Sequence, residues 1–228
     1  MTGNSNTYAF QPTIGSLTLN AFARCGVRRT EVLAQHMEDA FQETNLMQSD
    51  WGADNITFWT VQKIDQPLTQ GTATYTVPSN AITVLDLYVN NGSSNRLLFG
   101  FSRTDFASLA NPNQQGFPTS YWQDRLLTQT LTLWPVPDGS ATYTMSYYVY
   151  TQTQDAIAKQ GGAAAVPFYW LDAWTAGLAY RLSRIYAPQL EDKRKVDAQE
   201  AYAKASKQNE QVPIYITPGL SGYFTNRG

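Results

Sequence analysis

The chain has 228 residues, a formal net charge of −2 and 15% charged side chains, well below the roughly 25% of an average soluble protein. That length suits one large domain or two small ones, and the near-neutral balance excludes a global basic field for nucleic acid, though not a local patch. Cysteine occurs once, at Cys25, which excludes an internal disulfide framework and makes folding in a reducing cytoplasm the simplest expectation.

Residues 1–15 are rich in Asn, Thr, Gln, Pro and Gly and read as an extended arm. Met1-Thr2-Gly3-Asn4-Ser5-Asn6 is polar and lacks a signal-type apolar region. No apolar run approaches the ~18 residues that span a bilayer. Ser16 to Gly26 predicts a short helix, with Ser16 as its cap, Gly26 closing it, and Leu19, Phe22 and Ala23 on one face. Cys25 reads as a small apolar filler. Thr30 then caps a second helix, Thr30–Gln48, whose apolar stripe is Leu33, Met37, Ala40, Phe41 and Met47. Asp50-Trp51-Gly52 ends it.

From about Ile56 to Tyr150 the pattern becomes strand after strand, dense in Thr, Tyr, Val and Trp. Thr57–Ile64 is strand-like. In Thr72–Val77, Ala73, Tyr75 and Val77 alternate onto one face. Ile82–Val89 is nearly continuously apolar, as for a strand buried on both sides. Asn90-Asn91-Gly92-Ser93 predicts a hairpin turn, with Leu97-Leu98-Phe99 pairing back. Arg103–Leu109 reads as a short helix capped by Ser102, followed by a loop to Pro118 and a strand at Thr119–Trp122. Gln129–Trp134 and Ala141–Tyr150 predict a last hairpin around Pro135–Gly139, with Tyr143, Met145, Tyr147 and Val149 facing one way. Short alternating strands with regular turns indicate an antiparallel β-sandwich.

Asp155–Ala165 is a Gly/Ala-rich connector. A strong helix follows at Phe168–Ala187, with Leu171, Trp174, Leu178, Leu182 and Ile185 as its stripe and Gly177 permitting close approach of a neighbour. Pro188 stops it. A further helix, Gln189–Glu210, carries only Ala198, Ala201, Tyr202 and Ala205 on an apolar face. The expected fold class is therefore α+β: a bundle built from N-terminal and C-terminal helices, with an inserted antiparallel β-sandwich. The expected divisions are 1–55 (arm and helices), 56–150 (sandwich), 151–210 (helices completing the bundle) and 211–228 (an extended docking tail). That tail holds Ile214, Tyr215, Ile216, Leu220, Tyr223 and Phe224 without helical period, and such a segment wants a partner surface.

Little in the chain points to catalysis. One His and one Cys, eleven residues apart, sit on separate predicted elements; His36 has no second His or cysteine cluster to make a metal site. No G-x-S-x-G, phosphate loop or H-E-x-x-H occurs. Asp50 and Asp54 read as a helix end, and nothing brings Asp105 together with Asp124 or Asp138. No catalytic, cofactor or metal residues are expected. Arg24, Arg28 and Arg29 cluster at a helix end, where cations suit the helix dipole. Lys193, Arg194 and Lys195 are balanced by adjacent acids. The 14 Tyr and 6 Trp, set in an uncharged polar surface, suit broad protein–protein contact.

Several stretches, in order, resemble the head-to-tail adaptor (connector) proteins of tailed bacteriophages, chiefly of short-tailed phages. Gln70–Pro78 is similar to their G-x-x-x-Y-x-x-P strand entry, and Ile82–Val89 to the strand after it. Gly116–Arg125 resembles a G-x-P-x-x-Y segment. Leu131–Asp138 resembles the L-x-L-x-P-x-P-D hairpin, and Val166-Pro167 with Ala173–Ala179 the family's long helix. The resemblance covers roughly residues 16–210. It implies a virion protein assembled in the host cytoplasm: a ring, usually a dodecamer, beneath the portal, joining capsid to tail tube or nozzle. DNA would pass through its lumen without sequence-specific binding, and no catalytic residue is carried over. The helices would form the ring body and the sandwich would pack sideways or outward. The tail would dock on the portal or a neighbour, with Tyr215, Tyr223 and Phe224 as anchors. Two other readings fit the pattern: another tail-tube or nozzle subunit, or a carbohydrate-binding sandwich using Trp59, Trp122 and Trp134, which otherwise read as core residues.

Overall fold

A computed structural model describes residues 10–54, 58–156 and 162–207. Five α-helices and ten strands are present among them, with helices at both ends and strands between, so the α+β class holds.

Helix α1 spans Ile14–Arg24. Thr13, not Ser16, is its cap: the Thr13 hydroxyl accepts the Ser16 N–H at 3.2 Å. Gly26, at φ +83°, takes the left-handed conformation that ends the turn. The buried face is Leu17, Thr18, Ala21 and Phe22; Ala23 points to solvent. The expected start of α2 at Thr30 is also corrected. Arg29–Glu31 forms a separate 3-10 turn, because the Glu31 carboxylate reaches back to the Arg28 N–H at 3.1 Å. Helix α2 then runs Ala34–Ala53. Met37, Ala40, Phe41 and Met47 are buried as expected, joined by Thr44 and Trp51, while Leu33 is exposed.

Helix α4 (Leu171–Tyr186) follows a 3-10 turn at Phe168–Trp170, and α5 (Glu191–Ser206) follows another at Pro188–Leu190. Residues 208–210 of the predicted last helix lie outside the described residues. Trp174, Leu178 and Leu182 are buried, but Ile185 is 49% exposed, its place taken by Ser183. Helices α1, α2, α4 and α5 share one core. Phe22, Trp170, Trp174, Leu178 and Leu182 are its fully buried large side chains. Each such side chain contributes about 1.5–3 kcal/mol by leaving water. Trp170 packs on Trp51 at 5.0 Å and on Trp59 at 5.2 Å between ring centres. Helix α5 buries only Ala198, Ala201 and Ala205, the thin face its sequence predicts.

The strands make two four-stranded sheets. The first orders β1 (Val61–Pro67), β10 (Thr144–Thr151), β3 (Ala81–Asn90) and β4 (Asn95–Leu97). The second orders β2 (Thr74–Thr76), β8 (Thr130–Trp134), β7 (Ser120–Asp124) and β5 (Phe99–Phe101). A small third pairing joins β6 (Gln115–Gly116) to β9 (Val136–Pro137). Helix α3 (Arg103–Ala107), capped by Ser102 as expected, follows β5. The inner faces meet in a second core of Tyr75, Val77, Leu87, Val89, Leu131, Leu133, Met145, Tyr147 and Val149.

Four strand expectations are corrected. β8 and β10 are not a hairpin; they belong to opposite sheets and face each other across the sandwich. Leu97–Phe99 is not one strand. Leu98 is buried while the chain passes from β4 in one sheet to β5 in the other, where β5 pairs parallel with β7. β3 is not buried on both sides: Val84, Leu87 and Val89 face inward and Asp86 is exposed, as for an antiparallel strand with one solvated face. Phe58–Thr60 is a 3-10 turn, so the first strand begins only at Val61.

The chain segments that enter and leave the sandwich are each fastened by a hydrogen bond. The Thr151 hydroxyl donates to the Thr60 carbonyl at 2.8 Å, and the Ala156 N–H donates to the Asn45 side-chain oxygen at 2.8 Å.

Candidate interaction surfaces

Most of the ionisable groups singled out in the sequence have a local structural job. The Cys25 thiol is buried and donates to the Ala179 carbonyl at 3.2 Å; burial pushes its pKa up, against the Arg194 charge that lowers it, leaving it a poor nucleophile. His36 Nδ1 accepts the Leu33 N–H at 2.9 Å and so closes the start of α2. Its ring meets Tyr186 edge-on at 4.9 Å. Asp50 pairs with Arg181, which also holds Glu43 at 3.3 Å. Asp54 accepts the Tyr202 hydroxyl at 2.7 Å. Burial first, and Asp54 second, push that phenol's pKa well up.

Asp105, Asp124 and Asp138 are not brought together into a shared hydrogen-bonded site. Asp105 closes the Ser102 capping box of α3. Asp138 accepts from the Ser140 N–H, the Ser140 hydroxyl and the Tyr143 hydroxyl, which hold its carboxyl below the usual range. Among the described residues no group of three or more His, Cys, Asp or Glu could hold a metal ion, and no helix is long and apolar enough to cross a membrane. Of the basic runs, Arg24 ends α1 and binds Asp172 at 2.7 Å. Arg194 binds Asp197 at 2.8 Å.

The three tryptophans do not form one platform. Trp59 packs against the helical core. Trp122 and Trp134 lie outside both cores, on the outward side of the second sheet, since Leu131 and Leu133 alternate inward. Trp122 is stacked under Phe106 at 5.3 Å. Trp134 Nε1 donates to the Asn111 carbonyl at 3.0 Å. Both ring systems are thus engaged by their own chain.

What the surface does present is apolar. Phe10 and Phe168 are 69% and 72% exposed and meet edge-to-face at 6.3 Å. They stand over a groove of about 840 Å³ between the N-terminal segment and the approach to α4. Leu126 and Leu127, in the turn between β7 and β8, are 68% and 103% exposed. The sequence signal for that turn was an apolar pair where Gly, Asn or Ser is the rule. The tail residues Ile214, Tyr215, Ile216, Leu220, Tyr223 and Phe224 lie outside the described residues.

Exposed apolar side chains of this kind are a common mark of surfaces that meet other proteins. The family model described as SU10 adaptor protein matches residues 17–215. The chain belongs to that family: it is a bacteriophage head–tail adaptor, a structural protein of the virion. No curated protein gives a significant match to the sequence.

Proposed function

We propose that copies of this chain close into a dodecameric ring beneath the portal, joining the filled capsid to the tail tube or nozzle and surrounding the DNA. The family match over residues 17–215 carries the reading. It is supported by a fold with two separate cores, each offering its own faces. A ring needs a heterologous interface with two unlike patches per subunit. In this proposal residues 1–55 and 151–210 form the helical ring body, residues 56–150 the sandwich packed sideways or outward, and 211–228 the docking tail. The ring assembles in the host cytoplasm. Its lumen passes DNA without reading sequence, and it performs no catalysis.

The tail is the portal-directed element, with Tyr215, Tyr223 and Phe224 as anchors among Ile214, Ile216 and Leu220, because aromatic side chains dominate interface energetics. Purified protein added to portal-bearing heads lacking the adaptor should co-sediment with them. A chain ending at Gln211 should keep its circular dichroism spectrum and lose attachment. No binding by the full chain contradicts the function; undiminished binding by the shortened chain contradicts the role of the tail.

A further inference from the structure

We infer that the Leu126–Leu127 turn of one subunit seats in the apolar groove beside Phe10 and Phe168 of the next copy of this chain. The inference rests on the ring proposed above and supplies its two unlike patches.

The turn is convex and unspent. Each exposed leucine forgoes about 1.5–3 kcal/mol that burial would contribute, and none of the described residues covers Leu127, which is 103% exposed. The groove is concave and pre-formed. Its two walls are tied by a bridge between Thr13 and Ala163, by the Ile14 N–H on the Gly162 carbonyl at 2.9 Å, and by the Ala164 N–H on the Pro12 carbonyl at 3.5 Å. Pro12, Val166, Phe168 and Leu171 give it an apolar lining. Fixed walls spare the ordering cost that weakens association.

Charge points the same way. Arg125, next to the leucines, is exposed and forms no ion pair among the described residues. Asp172, next to Leu171 in the first turn of α4, has a side chain 73% exposed and one oxygen on Arg24. Its other oxygen is available to an incoming guanidinium. The two patches are unlike and lie on different parts of the subunit, the sandwich and the helical part, so the contact can run head to tail from one copy to the next. Repetition of that contact closes a ring or grows a chain.

Cysteine pairing tests it, because the native Cys25 is buried and added surface thiols are then the reactive ones. Protein carrying both Leu127→Cys and Phe168→Cys is oxidised mildly, at high concentration and after binding to portal-bearing heads. The expected result in either setting is a ladder of disulfide-linked multimers on a non-reducing gel. Each single variant should stay monomeric, and a mixture of the two single variants should give dimers only. The inference is overturned by no linkage in both settings, by dimers from Leu127→Cys alone, or by linkage of Leu127→Cys to portal protein. Attachment to heads is scored on the same samples by sedimentation. Attachment without linkage removes this inference and leaves the proposed function standing; linkage without attachment does the reverse.

Discussion

Gly177 on α4 lies against Met47 on α2: a β-carbon at 177 would come within 2.7 Å of the Met47 sulfur. That contact lets the two helices approach closely, joining the N-terminal and C-terminal halves of the helical core. Gly177→Ala should be close to neutral, since alanine's gain of about 1 kcal/mol in helix propensity offsets a shift of the flexible Met47 side chain. Gly177→Leu should destabilise by about 1–3 kcal/mol through overpacking. Met47→Ala in that background should recover part of the loss, measured by denaturant unfolding. Equal tolerance of Ala and Leu would contradict the close contact.

Tyr147 offers a different test. Its ring sits in the centre of the sandwich, fully buried, and its hydroxyl has no hydrogen-bond partner among the described residues. Burial pushes the phenol's pKa up. An unsatisfied buried hydroxyl costs about 1–3 kcal/mol, so Tyr147→Phe should leave the protein at least as stable as before and raise its melting temperature. A clear fall in melting temperature would show that the hydroxyl has a partner.

Alkaline pH should loosen the helical part. The Tyr186 phenol is pushed up to about 12 by burial first and by its hydrogen bond to Asp39 second. The unfolded chain ionises near 10. The protonated phenol therefore contributes stability in full below pH 10, and that contribution is lost as pH rises from 10 through about 12. Tyr186→Phe should flatten this part of the stability profile, read by unfolding at successive pH values. An unchanged profile would contradict the raised pKa of Tyr186.

Two cores imply two units of local stability. Leu178→Ala should cost about 2–5 kcal/mol in the helical core and Leu133→Ala as much in the sandwich. Hydrogen exchange should show Leu178→Ala deprotecting α1 and α4 while β3 and β10 stay protected, with the reverse for Leu133→Ala. Uniform deprotection by either variant would mean that the chain opens as one unit.

Local signals carried much of this fold. Pro167 and Pro188 bracket α4, and the alternation of Tyr143, Met145, Tyr147 and Val149 marks a true inner face of the sandwich. What escaped the sequence is non-local. The crossing of the chain between sheets at Leu98, and the placing of β8 and β10 in opposite sheets, depend on partners far along the chain that no short window contains. The delayed start of α2 turned on competing caps: Glu31 closes its own turn on Arg28 before His36 can cap at Leu33. Trp122 and Trp134 look like core residues by type, yet strand parity sends them outward, under α3 and the Asn111 loop. Of the candidate surfaces, the sequence pointed to the tail and missed Phe10, Phe168 and the Leu126–Leu127 turn, whose exposure is a property of the folded shape.

The central claim, that this chain is the ring joining head to tail, is tested most directly by electron cryomicroscopy of the head–tail junction in particles carrying it. The account predicts a closed ring of copies directly beneath the portal, each fitting the helical part with its attached sandwich. Density for the subunit only elsewhere in the particle, or as isolated single copies at the junction, would contradict it.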